Sequence, residues 1–205
     1  QKLLGMGGDA FRVRRKKDDL VAIRFIQSAK KRWFRMALAD SLGREMNFGE
    51  ALTGSRLLGR WFARERPDDR MVGVLLPSSV GGALVNMGLM LAGKIPVNLN
   101  FTIGAEAMES AIQQCGIKTI VTARAFLTKA KLEERPEMIF VEELLAAQGK
   151  VAQLAMYVAT LLTPTSLLVR FAGPKGQSVD DLCTIMFSSG STGEPKGVML
   201  SQHNV

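Results

Sequence analysis

Phe187-Ser188-Ser189-Gly190-Ser191-Thr192-Gly193-Glu194-Pro195-Lys196-Gly197 is the stretch on which the reading of this chain turns. Glycine takes positive φ without strain, so Gly190, Gly193 and Gly197 let successive backbone N–H groups converge on one anion. The hydroxyls around them add donors, and Lys196 adds a point charge on a long stem whose exit direction Pro195 narrows. That combination is phosphate-binding chemistry. Ser/Gly clusters also form linkers that bind nothing. This one, however, is short, entered by the apolar run 182–187 and left by Val198-Met199-Leu200, and linkers seldom join two buried strands. Nor is it a Walker loop, because Lys196 is followed by Gly197 where that loop places a Mg²⁺-binding Ser or Thr.

Outward from the loop, the hydrophobic pattern alternates between strand and helix. Asn47 with Glu50 forms a capping-box pattern for a helix running to about 63, with Leu57, Leu58, Trp61 and Phe62 as its apolar side. Residues 72–76, 95–99, 118–122 and 138–141 read as short strands. Residues 80–91, 105–114 and 125–133 read as helices, with Gly93 stopping the first. Repeated strand–helix units predict an α/β fold, a mostly parallel sheet with helices on both faces. Residues 144–171 break the rhythm with a Leu- and Ala-rich stretch interrupted at Thr163-Pro164-Thr165. Its uninterrupted part, 151–162, is too short to cross a bilayer, which takes about 20 apolar residues. A helix lying on the protein and one lying at a membrane interface both fit it.

The chain's 205 residues, 47% hydrophobic, can bury a substantial core. Cys115 and Cys183 are isolated, lack metal-ligand spacing and read as idle thiols of a reducing compartment. No metal site is expected from the residues themselves, and no signal peptide is visible. The net charge of +8 is concentrated in residues 1–35, where eleven Lys/Arg face three Asp. Such a segment suits an anionic membrane surface, with Trp33 and Phe34 beside Lys30, Lys31 and Arg32 at the interface. It equally suits a solvated linker to an upstream domain. No stacking or groove-reading module accompanies the charge, so nucleic acid is not expected as a partner.

The run 187–197 resembles the phosphate-loop signature of the adenylate-forming superfamily, which includes acyl-CoA synthetases, luciferases and peptide synthetase adenylation domains. The run 71–78 resembles that family's early strand and turn, and 91–100 resembles its Ala-Gly-x-x-x-Pro-Leu-Asn/Asp segment. Residues 41–48 resemble its opening, a small β-hairpin before the first long helix. Around 97–122 and in the basic lead-in, the wording is most similar to the synthetase part of bifunctional acyl-acyl carrier protein synthetase/2-acylglycerophosphoethanolamine acyltransferases.

The resemblance implies an ATP- and Mg²⁺-dependent acid-thiol ligase. A fatty acid becomes an acyl-adenylate, and the thiol of an acyl carrier protein or of CoA then takes the acyl group. It implies that Ser188, Ser189, Gly190, Ser191, Thr192, Gly193, Glu194, Pro195, Lys196 and Gly197 hold the nucleotide, with Lys196 as the candidate catalytic residue on the outer phosphates. It also implies an incomplete AMP-binding N-terminal domain over 36–205, a basic linker or membrane-proximal segment over 1–35, and a cytoplasmic protein peripheral to or tethered at the inner face of the cell membrane. A plain acyl-CoA synthetase and a non-catalytic membrane-docking fragment are the alternatives. The family pattern Ser/Thr-His-x-Asn stands here as Ser201-Gln202-His203-Asn204, which leaves the role of Gln202 open. The family's Thr-Glu pair, ribose-binding Asp and C-terminal lysine domain have no counterpart in these residues. The 205-residue chain alone is therefore expected to show no fatty-acid-dependent exchange of pyrophosphate into ATP, the assay that checks it.

Overall fold

The computed structural model describes residues 19–188 and 195–205. Helix α1 (Val21–Lys31) leads into a hairpin of strands β1 (Met36–Ala39) and β2 (Glu45–Asn47), and helix α2 (Phe48–Glu65) follows at once. The α2 start is the expected capping box: Asn47 Oδ1 accepts from the Glu50 N–H at 2.9 Å, and Glu50 Oε2 accepts from the Asn47 N–H at 2.8 Å. The hairpin itself begins earlier than 41–48, since Ser41-Leu42-Gly43 lie in its turn.

Strand β3 (Met71–Val74), helix α3 (Val80–Leu91), strand β4 (Ile95–Asn98), helix α4 (Ala105–Cys115), strand β5 (Ile120–Thr122), helix α5 (Arg124–Ala130) and strand β6 (Met138–Phe140) alternate as the periodicity predicts. Several boundaries differ, as where β3 ends at Val74 and β5 begins at Ile120. Helix α5 stops at Ala130 because Lys131 adopts φ 54° and ends it in a left-handed cap. Strand β6 ends at Phe140, and Val141 already opens helix α6 (Val141–Ala146). The apolar stretch resolves into helices α7 (Lys150–Leu162) and α8 (Thr165–Ala172), divided at Pro164. Strands β7 (Leu182–Ser188) and β8 (Lys196–Ser201) close the described part of the chain.

One six-stranded sheet carries the order β6-β5-β3-β4-β7-β8. All its pairings are parallel except β7 with β8. The connection β3–α3–β4 runs one way along the sheet, and β4–α4–β5–α5–β6 runs the other. Right-handed crossovers therefore place α3 and α4 on opposite faces. The core follows that division. Ile95, Val97, Ile120, Ile185 and Phe187 pack with Met108, Ile112 and Phe126 on one side. Val72, Val74 and Val121 pack with Leu58, Phe62, Val85 and Leu89 on the other.

A third cluster adds an outer helical layer in which Ala22, Ile26, Ala29 and Trp33 meet Leu52, Met90, Leu91 and Leu168. From Val21 onward, then, the segment set apart at 1–35 as a linker or membrane-proximal stretch contributes to the core. Trp33, expected at a membrane interface, is only 5% exposed, and its Nε1 donates to the Tyr157 hydroxyl of α7 at 2.8 Å. Phe34 does face solvent, at 79% exposure. Cys183 is buried against Met90 and its thiol pKa is pushed up to about 11 by that burial, so the reading of an idle thiol holds for it. Among the described residues no helix is long and apolar enough to cross a membrane. The outward side of β8 is apolar, with Val198 and Met199 exposed.

Helices α2 and α3 touch backbone to backbone. A Cβ added at Gly59 would lie 2.7 Å from the Gly88 carbonyl oxygen, and one at Gly88 would lie 2.9 Å from that of Ser55. Gly59→Ala is expected to cost about 1–3 kcal/mol through overpacking, read from the urea midpoint at constant slope. Gly81→Ala, where an added Cβ meets only the Ser79 hydroxyl at 3.9 Å, should be neutral or stabilise by up to about 1 kcal/mol.

Candidate functional site

Ser188, after which the phosphate-loop candidate continues, stands at the carboxyl ends of the parallel strands, where a ligand site is expected in an open α/β sheet. Strand β7 delivers Ser188 to that edge, and Lys196 is paired directly across the ladder from it. The loop is thus the turn of a β7–β8 hairpin, and its two ends are pinned. Ser189, Gly190, Ser191, Thr192, Gly193 and Glu194 lie outside the described residues. Pro195 is buried, while Lys196 is exposed at the mouth of the hairpin. Among the described residues Lys196 makes no ion pair. Gly197, opposite Phe187, leaves little room for a side chain: an added Cβ would lie 3.2 Å from the Phe187 ring and 3.3 Å from Ile185. It therefore lets β8 lie flat on the aromatic side chain at the base of the loop.

Strand β7 is held by polar contacts that sequence reasoning missed. Asn98, the last residue of β4, donates from Nδ2 to Asn86 Oδ1 at 3.0 Å and to the Thr184 hydroxyl at 3.2 Å. Asn86 Nδ2 donates back to Asn98 Oδ1 at 3.2 Å and to the Gly82 carbonyl at 2.9 Å. Thr184 donates to the Pro96 carbonyl at 2.9 Å. One chain of amides and hydroxyls thereby joins α3, β4 and β7 just below the carboxyl edge. Asn98 fell within a segment already singled out. Asn86 and Thr184 gave no signal, since a single polar residue on an apolar helix or strand has no periodicity to mark it.

At the same edge lies a cleft of about 390 Å³ between the β1–β2 hairpin and the start of α3, lined by Leu38, Leu76, Ser78, Ser79 and Asn98 among others. Asp40 in the hairpin turn clamps its rim by accepting N–H bonds from Leu42, Arg44 and the first residue of α3, Val80. Burial raises the carboxyl pKa, but those three donors and the Arg44 charge outweigh it and hold the group below its ordinary value. A larger groove of about 890 Å³ lies away from this edge, between α2 and α7.

Gln202 is at the opposite end of the sheet. Strand β8 runs antiparallel, so Ser201 pairs with Leu182 at the amino end of β7. Gln202 is 5% exposed, and its Oε1 accepts the Val21 N–H at 3.1 Å, satisfying a donor at the start of α1 that no side chain of α1's own cap reaches. In this position it holds the start of α1. His203 lies at the same end, with its N–H bonded to the Val179 carbonyl at 3.0 Å. No group of three His, Cys, Asp or Glu able to hold a metal exists among the described residues.

Comparison with known proteins fits this geometry. The mitochondrial medium-chain acyl-CoA ligase of Rattus norvegicus is 29% identical over 163 residues, 68% of this chain and 26% of that protein. Gramicidin S synthase 2 of Brevibacillus brevis is 28% identical over 137 residues, 67% of this chain and 3% of that protein. The chain thus spans a minor part of the curated relatives it matches. The crystal structure of VinN superposes with a TM-score of 0.69 at 19% identity, covering 92% of this chain and 47% of that one. An O-succinylbenzoate coenzyme A synthetase from Bacillus subtilis, solved with AMP, superposes at 0.62 with 20% identity, covering 91% of this chain and 42% of that one. Those two likenesses establish the fold, that of the N-terminal domain of adenylate-forming enzymes. With residues 25–205 matching the AMP-binding enzyme family, the chain belongs to that family.

Proposed function

We propose that this chain is the nucleotide-phosphate part of a ligase that activates a fatty acid with ATP and passes the acyl group to the thiol of an acyl carrier protein or of CoA. The observation that supports this most directly is the hairpin itself. An exposed lysine stands across the ladder from Ser188, at the carboxyl edge of a parallel sheet, in a chain of the AMP-binding family.

A carboxylate is a poor electrophile. Its oxygen attacks the α-phosphorus of ATP, the bond to the bridging oxygen breaks, and pyrophosphate leaves with the electron pair. A thiolate then attacks the acyl carbon and AMP leaves. The residues in hand contribute position and charge, the main terms in such a transfer. Strands β7 and β8 fix both ends of the loop, and Lys196 neutralises charge on the outer phosphates as pyrophosphate departs. Mg²⁺ would supply further neutralisation, and no donor set for it lies among the described residues.

The acyl-carrier-protein acceptor and a bifunctional acyltransferase arrangement rest on the wording of 97–122 and the basic lead-in. A CoA acceptor is the second reading, favoured by similarity to medium- and long-chain acyl-CoA ligases. An anionic membrane surface is the further proposed partner, and the basic charge of 1–35 supports it.

In the enzyme that contains this chain, Lys196→Ala should slow adenylation by about 1.5–4 kcal/mol. Transfer from preformed acyl-adenylate should be nearly unchanged. Single-turnover measurement of the two half-reactions checks this, and equal losses in both, or none in either, exclude the assigned role. Asn98→Leu should lower stability by about 1–3 kcal/mol, because Asn86 and Thr184 lose partners below the surface. It should also weaken use of ATP, read as a raised KM, because the strand carrying the loop is no longer tied to β4.

A further inference from the structure

Helix α7 is amphipathic in reverse. Its polar residues turn inward: Gln153 donates to the Leu145 carbonyl at 2.8 Å, and Tyr157 accepts from Trp33 at 2.8 Å. Buried Thr160 donates to the Met156 carbonyl at 2.6 Å and accepts from Arg56. The solvent side carries Val151, Ala152, Leu154, Ala155, Val158, Ala159 and Leu162, with no polar residue among them. Val151 is 84% exposed, Leu154 65% and Leu162 74%. A surface helix ordinarily shows the opposite arrangement. The apolar surface continues on α8 at Leu167 and Phe171.

The charge around this face is predominantly basic. No Asp or Glu occurs between Glu143 and Asp180, or between Asp19 and Asp40. Lys150 opens α7, and Lys30 of α1 donates to the Thr160 carbonyl near its other end at 3.0 Å. Lys31 and Arg32 are exposed at the end of α1, and Arg170 is exposed on α8. Along the groove between α2 and α7, Arg56, Arg60 and Arg64 face Ala152, Ala155 and Ala159. Arg64 pairs with Glu65, whereas Arg56 and Arg60 have no carboxylate partner among the described residues. Burial, and to a lesser degree the neighbouring Arg60 charge, pulls the Arg56 guanidinium below its usual range.

We propose that the outer face of α7, with Phe171 and the Arg56–Arg60 ridge, is a docking surface for an anionic lipid bilayer. Thirteen residues cannot span one, but a helix lying in the interface plane buries such a face among the acyl chains and holds its cations at the phosphates. A protein interface of ordinary composition would need hydrogen-bonding groups about every 100–200 Å², and the side chains of Val151, Ala152, Leu154, Ala155, Val158, Ala159 and Leu162 supply none. A second copy would set two basic rims against each other. The proposal rests on the membrane partner named above and moves the principal contact from the basic segment to α7.

The test is sedimentation of the 205-residue chain with phosphatidylcholine vesicles, with and without phosphatidylglycerol, over a range of salt. Binding to the anionic vesicles that weakens with salt is expected. It should fall by about tenfold or more in Leu154→Glu/Val158→Glu, because two carboxylates would enter the interface. Arg60→Glu should weaken binding to anionic vesicles selectively. Both altered α7 side chains are exposed, so the circular dichroism spectrum and urea midpoint should stay as in the parent. Absence of binding to either vesicle overturns the membrane partner and the docking face together. Undiminished binding of the double variant leaves the membrane partner standing and overturns the α7 face. Self-association that the double variant abolishes, without vesicle binding, identifies a second copy as the occupant and overturns the proposal.

Discussion

The carboxyl edge of this sheet depends on one carboxamide. Asn98 exchanges hydrogen bonds with Asn86 and donates to Thr184, so a helix, a middle strand and the loop-bearing strand share a single polar contact. Below the surface an unmade hydrogen bond costs about 1–3 kcal/mol, and the three residues therefore keep their places together. The constraint matters because β4 and β7 are paired at only Val97 with Ile185 and Asn98 with Met186. A slip of one residue would turn Ile185 out of the core and Thr184 into it. Asn98 makes that slip unfavourable and so fixes where Ser188 and Lys196 stand.

Most of the fold was legible because most of its signals are periodic. Short apolar runs gave β3 to β6, and the Asn47–Glu50 pair gave the start of α2 to the residue. What escaped had no period. The direction of β8 depends on how far the loop after Ser188 turns, and a Gly- and Ser-rich stretch permits either sense. Once β8 is seen to run back, Ser201-Gln202-His203 move to the far end of the sheet, where Gln202 accepts a hydrogen bond from the start of α1. The basic lead-in was read by charge alone. Charge marks where Lys30 and Arg32 are, but Ala22, Ile26 and Ala29 before them supply the stripe that buries α1.

The outer helical layer shows a limit of a different kind. The stretch 151–162 is nearly all apolar, so its sequence cannot say which face turns inward. The inward choice is made by three polar side chains that find partners there: Trp33 for Tyr157, Arg56 for Thr160 and the Leu145 carbonyl for Gln153. Hydrogen bonding, which gains more from a partner in the interior than at the surface, decides the rotation of α7, and the aliphatic side is left to the solvent.

Strand β8 has a consequence for how the protein behaves in a tube. It is the last strand on its side of the sheet among the described residues, and its outward residues Val198 and Met199 are exposed. Such a strand offers a row of backbone donors and acceptors to any other extended chain, and nothing between Lys196 and Ser201 blunts it with a proline or a second charge. The hairpin that carries the phosphate-loop candidate is therefore also an adhesive border of the described chain.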